Sequence, residues 1–550
     1  MVKDMQEEIF FEFTSMDLRD QCYKAFYLKT SDICDSETIA SSPPRSLKLN
    51  ELLEDSAKHV LPPTEYDGPP LLATRSFAEN NQNYSSSSKP MHITCLTVGS
   101  RGDVQPFIAL CKGLQSEGHR CRIATHDEYK EWVEEHGIEF RSIGGDAGEL
   151  MTLCIESGLW SPKFIRSGMR ILNNWLGTLL ELVWEACQGT DLLIETPSAM
   201  VGIHIAEKLE IPYFRAMPFP WTRTAQFPYP SAMQNYTRGG VYNDMTYVMI
   251  DMVLWMAISK QVNQFRKNKL HLPPTNLERL EIWRVPHIYP FSSAVVHPPK
   301  DWPDYIHCTG YWFLYNSDMT WKPTEELQTF LSISDGRPIV YIGFGSIIVP
   351  DPKETSRVVL DAVLRSNIRA IICKGWSSRG KGDDNAESRH MLDQHKGTIF
   401  TLDSVPHDWL FPQIHAVVHH GGAGTTAAGL RYGLPTVIKP FFGDQWFWGK
   451  RVEGLGAGVC ISKLTVDKLH DALINVTQNT NIIEKARELG STIQKENGVK
   501  TAIECIYRDI HFAKRSPVEP EGSISSLLST VWGGRGHAST AEENSDKDHE

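Results

Sequence analysis

The sequence has no excess of positive charge, no paired-cysteine motif, no long apolar run and no phosphate loop carrying a lysine. Each absence narrows what the chain can do. Its 550 residues carry a formal net charge of −12, which argues against non-specific nucleic-acid binding, since that needs a basic surface. The 11 cysteines are odd in number and none stand in C-x-x-C spacing. Neither a zinc site nor a dithiol redox motif is indicated, and reduced thiols in a cytosolic setting are the simplest reading. The longest apolar stretch, Thr246 to Ile258, is interrupted by Asp251. It falls short of the ~20 residues of a spanning helix, so a buried or interfacial helix and no transmembrane segment are expected. The opening residues MVKDMQEEIFFEF are acidic and lack the basic n-region of a secretory signal. The expected location is cytoplasmic, with peripheral contact to membranes.

What is present is an ordinary globular balance, 41% hydrophobic and 22% charged. The acidity is uneven. Residues 1–90 carry a net −6, residues 516–550 a net −5, and the stretch between them only −1. Residues 60–90 collect Pro, Gly, Asn and Ser without apolar period, which reads as a linker. The expected organisation is an acidic, largely disordered extension over 1–90, an N-terminal domain over 91–318, a C-terminal domain over 319–512 and an acidic tail over 513–550.

The body opens with MHITCLTVGS, a strand ending in a glycine turn. RGDVQPFIALCKGLQSEGH follows, with Phe107, Leu110, Cys111 and Leu114 on one helical face. RCRIATH and EYKEWVEEHG repeat the strand–helix alternation. The pattern restarts at Arg337 with PIVYIGFGS and runs on through RAIICKG, AVVHH and PTVIKP. Two doubly wound, Rossmann-like α/β halves in series are therefore expected, facing each other across a cleft at the carboxyl ends of their strands.

Three motifs carry chemistry. In HHGGAGTTAAGLRYGLP, Val418 ends a buried strand that runs through glycines into a helix. Glycines let the backbone approach a ligand, and the helix N-terminus favours an anion. Gly424, Thr425 and Thr426 are placed for a phosphate, and His420 can donate a further hydrogen bond. The plainer reading is a tight turn capped by Thr425 or Thr426. His415, His419 and His420 do not have the spacing of a metal site on a strand, and no metal is expected. In KPFFGDQWFWGKRV, Asp444 and Gln445 can pair with vicinal sugar hydroxyls, or Asp444 can cap a helix. In GSRGDVQP, Asp103 begins the first helix. It can cap that helix, or take a proton from an acceptor hydroxyl, with Arg101 favouring its ionised form.

GSRGDVQP, IGFGS, VPHDWLFPQ and HHGGAGTTAAGLRYGLPTVIKPFFGDQ, together with PFPWTRTAQFPYP and TGYWFL, resemble the fungal sterol 3β-glucosyltransferases. These are UDP-dependent glycosyltransferases of the two-domain GT-B fold. The resemblance runs over about 91–512. Long family members carry pleckstrin-homology and GRAM modules ahead of this part, and residues 1–90 are too short for them. The resemblance implies donor contacts from Ser100, Arg101 and Ser346, with the base at Asp103, where plant relatives have histidine. It implies diphosphate contacts from His420, Gly422, Gly424, Thr425 and Thr426, and glucose contacts from Asp444 and Gln445. Val405 and His407 match a backbone clamp on uracil, while the plant tryptophan that stacks on uracil has Ser404 in its place. The implied reaction is inverting transfer of glucose from UDP-glucose to a sterol 3β-hydroxyl, with no cofactor and no metal.

The region 157–260 is rich in large apolar groups, among them Trp160, Phe164, Trp175, Phe214, Tyr247 and Trp255. Most belong to an ordinary core, and Phe219, Trp221, Phe227 and Tyr242 are candidates to line an acceptor slot. A triterpenoid or other lipophilic metabolite is an alternative acceptor. A UDP-sugar epimerase and a non-catalytic UDP-sugar sensor are alternatives of other classes.

Overall fold

The structure is a computed structural model. It describes residues 89–145, 175–231, 239–277, 280, 284–315, 321–345, 347, 349, 351–373, 395 and 397–514. The two acidic arms, apart from their innermost residues, lie outside the described residues, as do Trp160 and Phe164.

Two parallel sheets form the frame. The first contains β1 (His92–Leu96), β2 (Arg120–Thr125), β3 (Glu139–Ser142), β4 (Leu192–Glu195), β5 (Tyr213–Ala216), β6 (His287–Tyr289) and β7 (Ile306–Cys308), in the order β3-β2-β1-β4-β5-β6-β7. The second contains β8 (Ile339–Gly343), β9 (Arg369–Cys373), β10 (Ile399–Leu402), β11 (Ala416–His419), β12 (Thr436–Ile438) and β13 (Gly458–Cys460), in the order β10-β9-β8-β11-β12-β13. Both are doubly wound, and their central strands β4, β8 and β11 are buried on both faces, as in parallel sheets covered on both sides. The chain direction across the sheet reverses between β1 and β4 in one and between β8 and β11 in the other. Ligands of open α/β sheets bind at such switch points.

Five helices border the site or join the halves: α1 (Arg101–Ser116), α2 (Gly240–Phe265), α3 (Ala423–Arg431), α4 (Gln445–Gly454) and α5 (Gly498–Ala513). α1 leaves β1 and α3 leaves β11, so each springs from a strand beside a switch point. As the spacing predicts, Phe107, Leu110, Cys111 and Leu114 of α1 are buried. Gly118, at φ +90, turns the chain after the helix.

The expected limit of the second domain needs correction. α5 does not finish the second sheet; it returns to the first. Ala502, Ile503 and Ile506 join Phe107, Leu110 and Leu114 in one apolar cluster. A side chain on Gly113 of α1 would meet Ile503 at 3.0 Å. His307 Nε2 bonds Asp509 Oδ2 at 2.6 Å, and His119 Nε2 bonds the Tyr507 hydroxyl at 2.6 Å. The apolar period in α5 marks a helix with one buried face, but a period does not say which sheet that face will cover.

A second cluster joins the halves directly. Phe219, Phe227, Tyr229, Tyr289 and Phe291 from the first half pack with Phe447, Trp448 and Leu489 from the second.

Candidate active site

The first half of the site is the turn from β1 into α1. Ser100 is the N-cap of α1 and Asp103 is its third residue, and together they make a capping box. The Ser100 backbone N–H donates to Asp103 Oδ2 at 2.7 Å, and the Ser100 hydroxyl donates to the same oxygen at 3.0 Å. Gly99 is required before them. It takes φ +150, and any side chain there would collide with the Asp103 carboxylate. Capping and chemistry are thus compatible readings of Asp103.

The electrostatics differ from expectation. Arg101 does not hold Asp103 ionised; its guanidinium lies 4.4 Å over the Trp132 ring. Burial raises the Asp103 carboxyl above its usual range, opposed by the two Ser100 bonds. A long cation on an exposed turn finds an aromatic face on another element, which the neighbouring sequence does not reveal.

His126 is a residue the motifs did not pick out. Its Nδ1 faces the Gly144 carbonyl at 2.9 Å, and the Gly99 N–H faces its Nε2 at 3.4 Å. A carbonyl can only accept and an N–H can only donate, so the ring is the neutral Nδ1–H tautomer. Trp175 stacks on it at 5.8 Å. His126 therefore fixes the glycine that precedes the Ser100–Asp103 box. Its only sequence signal is a histidine immediately after a buried strand.

The second half of the site is the turn from β11 into α3. Gly421, at φ +95, has Ile438 Cγ2 only 2.7 Å from where a side chain would begin. Gly422 is the N-cap, and no side chain caps the helix. The N–H groups of Ala423, Gly424 and Thr425 in the first turn thus have no acceptor from an N-cap side chain. Gly424 is exposed, with open space where its side chain would be. Neither threonine caps the helix. Thr425 is half-buried at the first turn, whereas Thr426 is fully buried and its hydroxyl donates to the Gly422 carbonyl at 2.9 Å. The expected phosphate contact from the Thr426 side chain is thereby corrected: one step along a helix turns a side chain by ~100°, and here it turns Thr426 inward.

His420 stands beside this turn, its ring 3.2 Å from where a Gly345 side chain would start. Burial lowers its pKa to about 4, with His407 acting in the same direction. It is neutral at pH 7, and its buried Nδ1 has no partner among the described residues. His415 and His419 are used elsewhere: the Ile339 N–H donates to His415 Nδ1 at 3.1 Å and the Gly421 N–H to His419 Nδ1 at 2.9 Å.

Asp444 is the residue before α4. It makes no cap bond; its Oδ2 accepts from the Trp448 indole at 2.8 Å instead. Burial raises its pKa to about 7, and the Asp103 charge adds to the rise. Gln445 is corrected in part. Its carboxamide oxygen is taken by the Phe441 and Phe442 N–H groups at 2.8 and 3.2 Å, so only its amino group is left for a sugar. Val405 is half-buried ahead of the short helix His407–Leu410. The His407 ring stacks on Phe411 at 4.4 Å, with Tyr341 at its edge. Burial lowers its pKa to about 4, and the Arg101 charge contributes. Trp409 packs on Trp321 at 5.0 Å and does not replace the missing stacking residue. Ser346 lies outside the described residues.

Two couplings bridge the halves: Asp103 with Asp444, and Arg101 with His407. The strand-end loops of the two sheets therefore face each other. Of the acceptor candidates, Phe219 and half-buried Trp221 sit side by side at 6.2 Å, and Tyr242 is half-buried in the first turn of α2. Phe227 is corrected. It is 3% exposed, packs on Phe447 at 5.3 Å and lies under the Arg451 guanidinium, so it joins the halves rather than lining a slot.

Residues 93–228 match the glycosyltransferase family 28 N-terminal domain, and residues 384–498 the erythromycin biosynthesis protein CIII-like C-terminal domain. Solved structures of the same fold include the glycotransferase of kitacinnamycin, at 17% identity and TM-score 0.58, covering 77% of this chain and 100% of that one. CalG4, the calicheamicin glycosyltransferase, is another, at 16% identity and TM-score 0.53, covering 78% and 100%. The fold is the two-domain GT-B fold of these glycosyltransferases. Among proteins of this fold the chain is similar in sequence to sterol 3-beta-glucosyltransferases. It is 48% identical over 523 residues to the sterol 3-beta-glucosyltransferase of Cryptococcus neoformans var. neoformans, an alignment covering 92% of this chain and 33% of that protein. It is 48% identical over 530 residues to sterol 3-beta-glucosyltransferase ATG26 of Gibberella zeae, covering 92% and 37%. It is 44% identical over 561 residues to the enzyme of Aspergillus clavatus, covering 99% and 39%. The chain thus spans little more than a third of the length of these relatives.

Proposed function

We propose that the chain is an inverting glucosyltransferase that moves glucose from UDP-glucose to the 3β-hydroxyl of a sterol. The observation that carries this reading is the N-terminus of α3, left without a side-chain cap beside a switch point of the second sheet, with the Ser100–Asp103 box at the matching strand end of the first and close enough for its charge to act on Asp444. A carboxylate base, a sugar-binding carboxyl and an anion site then share one cleft.

In this mechanism the diphosphate lies against the first turn of α3, held by the N–H groups of Ala423, Gly424 and Thr425 and by His420. The acceptor hydroxyl gives its proton to Asp103. Its oxygen forms a bond to the anomeric carbon as the bond from that carbon to the phosphate oxygen breaks. UDP leaves with the electron pair. One displacement inverts the anomeric centre. The helix N-terminus and a neutral histidine N–H meet the developing negative charge, so no cation is part of the proposal. Burial makes Asp103 a stronger base than an exposed aspartate, and the Ser100 bonds keep it ionised enough to act. Asp444, with its pKa near 7, can accept from or donate to the glucose hydroxyls.

The test is the purified chain with UDP-glucose and a panel of sterols and triterpenoids, read by mass spectrometry. A gain of one hexose on ergosterol is expected. Hexose on a triterpenoid alone would move the acceptor class. UDP-sugar epimerisation or hydrolysis without transfer would overturn the reading.

A further inference from the structure

We infer that one exposed face of α2 is a membrane-docking surface that seats the N-terminal half on an anionic bilayer. The inference rests on the proposed lipophilic acceptor, which resides in such a bilayer.

α2 is apolar around most of its circumference. One side is buried through Tyr247, Ile250, Trp255, Ile258, Val262 and Phe265. On the opposite side Val241, Met245, Met249, Met252 and Met256 follow at steps of four, four, three and four residues, which places them in one stripe. Val241 is 42% and Met256 44% exposed, and the three methionines between them are half-buried. A helix on the surface of a globular protein ordinarily turns polar side chains to that side. Here the two acids of α2 lie away from the stripe. Asp244 is bound to Arg223 at 2.8 Å, and the Asp251 charge acts on Arg215 and Tyr229.

The exposed charge that follows the stripe on the helix is positive, although Lys269 is paired with Glu181 at 2.6 Å. Lys260 is exposed one turn after Met256. Lys267 and Lys269 follow, both exposed, in the π turn Arg266–Leu270 that extends the helix. An apolar stripe running into cations is the pattern of a helix lying in the headgroup region of an anionic membrane. Methionine suits acyl chains because it is unbranched and adaptable. The stripe is also close to the acceptor side of the cleft, since Tyr247 and Ile250 on the buried side of α2 share a cluster with Phe219 and Trp221.

The test uses the full chain in flotation with vesicles of phosphatidylcholine alone, or with one fifth phosphatidylserine, each carrying ergosterol. The wild-type chain should float with the anionic vesicles. M249Q/M256Q should reduce the bound fraction about tenfold, and K260E/K267E should do so only on the anionic vesicles, by roughly fivefold per lysine. Hexose transfer to vesicle-embedded ergosterol should fall in step. Transfer to ergosterol delivered in cyclodextrin should stay unchanged, which shows that the variants are folded and active. Wild-type levels of flotation by M249Q/M256Q, or no flotation of the wild type, would overturn the inference. So would a change from dimer to monomer in M249Q/M256Q, because the stripe would then be an interface between copies. If flotation follows the stripe but no form transfers hexose to ergosterol, the docking surface stands and the sterol reading falls.

Discussion

Asp103→Asn removes a proton acceptor while leaving most of the local structure in place. The side-chain oxygen of asparagine can still accept the Ser100 N–H that now lies 2.7 Å from Asp103 Oδ2. The loss in the capping box is therefore at most about 1 kcal/mol. Part of it is offset, because the ionised carboxylate that burial disfavours is gone. The donor side should be untouched, since the α3 turn contains no group bonded to Asp103. General-base removal slows transfer by roughly 100- to 10,000-fold, or about 3–5 kcal/mol in the barrier. Single-turnover transfer to ergosterol, UDP titration by calorimetry and thermal melting together give the three readouts. Transfer should collapse, UDP affinity should stay within about threefold, and the melting temperature should hardly move. Ser100→Ala supplies a graded control. It deletes the hydroxyl that donates at 3.0 Å, so the Asp103 carboxyl should rise further. A base works deprotonated, so the acid limb of kcat/KM should move to higher pH. An Asp103→Asn variant that keeps a tenth or more of the wild-type rate with intact UDP binding would refute the base assignment.

Gly424 and Gly421 should respond in opposite ways. Gly424→Asp fills open space at the first turn of α3 with a negative charge and should weaken UDP binding more than about tenfold while the fold survives, whereas Gly421→Ala forces a side chain into Ile438 at φ +95 and should cost about 2 kcal/mol or more in denaturant unfolding. The raised Asp444 carboxyl favours the folded state below the unfolded carboxyl's titration near ~4 and loses that contribution as pH rises through about 7. Its share is at most about 4 kcal/mol, and Asp444→Asn should flatten that pH slope in unfolding at pH 5 and pH 8; equal slopes would contradict the assignment. His420, lowered to about 4, acts oppositely: stability it contributes at neutral pH is lost as pH falls from ~6.5 toward 4, and a His420→Gln chain should unfold with less dependence on pH in that window. His126→Gln keeps an acceptor near the Gly99 N–H and should retain more transfer than His126→Asn, with kcat rather than the UDP-glucose KM carrying the difference; equal kcat values would remove His126 as a positioning residue.

The frame was legible because its signals are local. A buried strand, a glycine turn and a helix with one apolar face recur in both halves, and Val418 through Gly424 show all three within one short stretch. The same locality explains what was missed. Thr425 and Thr426 are equivalent in composition, and only the phase of α3 buries one of them. Gln445 looks like a free sugar contact until the backbone of Phe441 and Phe442 curls onto its oxygen. Arg101 stands two residues from Asp103, yet its partner is Trp132 on another element. Phe227 reads as a slot residue from one half alone and becomes an interface residue once Phe447 arrives from the other. α5 carries its helical period plainly, but its return to α1 depends on Gly113 leaving room for it. The net charge of −12 would suggest a poor site for an anionic donor. Most of that charge lies in the two arms, and the proposed anion site needs only backbone N–H groups and a neutral histidine.

The most direct test of the central claim is proton NMR of the product made from UDP-glucose and ergosterol. Single displacement predicts one hexose joined at the 3-hydroxyl through a β-anomeric carbon, inverted from the α-linked donor. An α-anomer would contradict the single displacement from Asp103, and glucose released without a steryl product would contradict transfer itself.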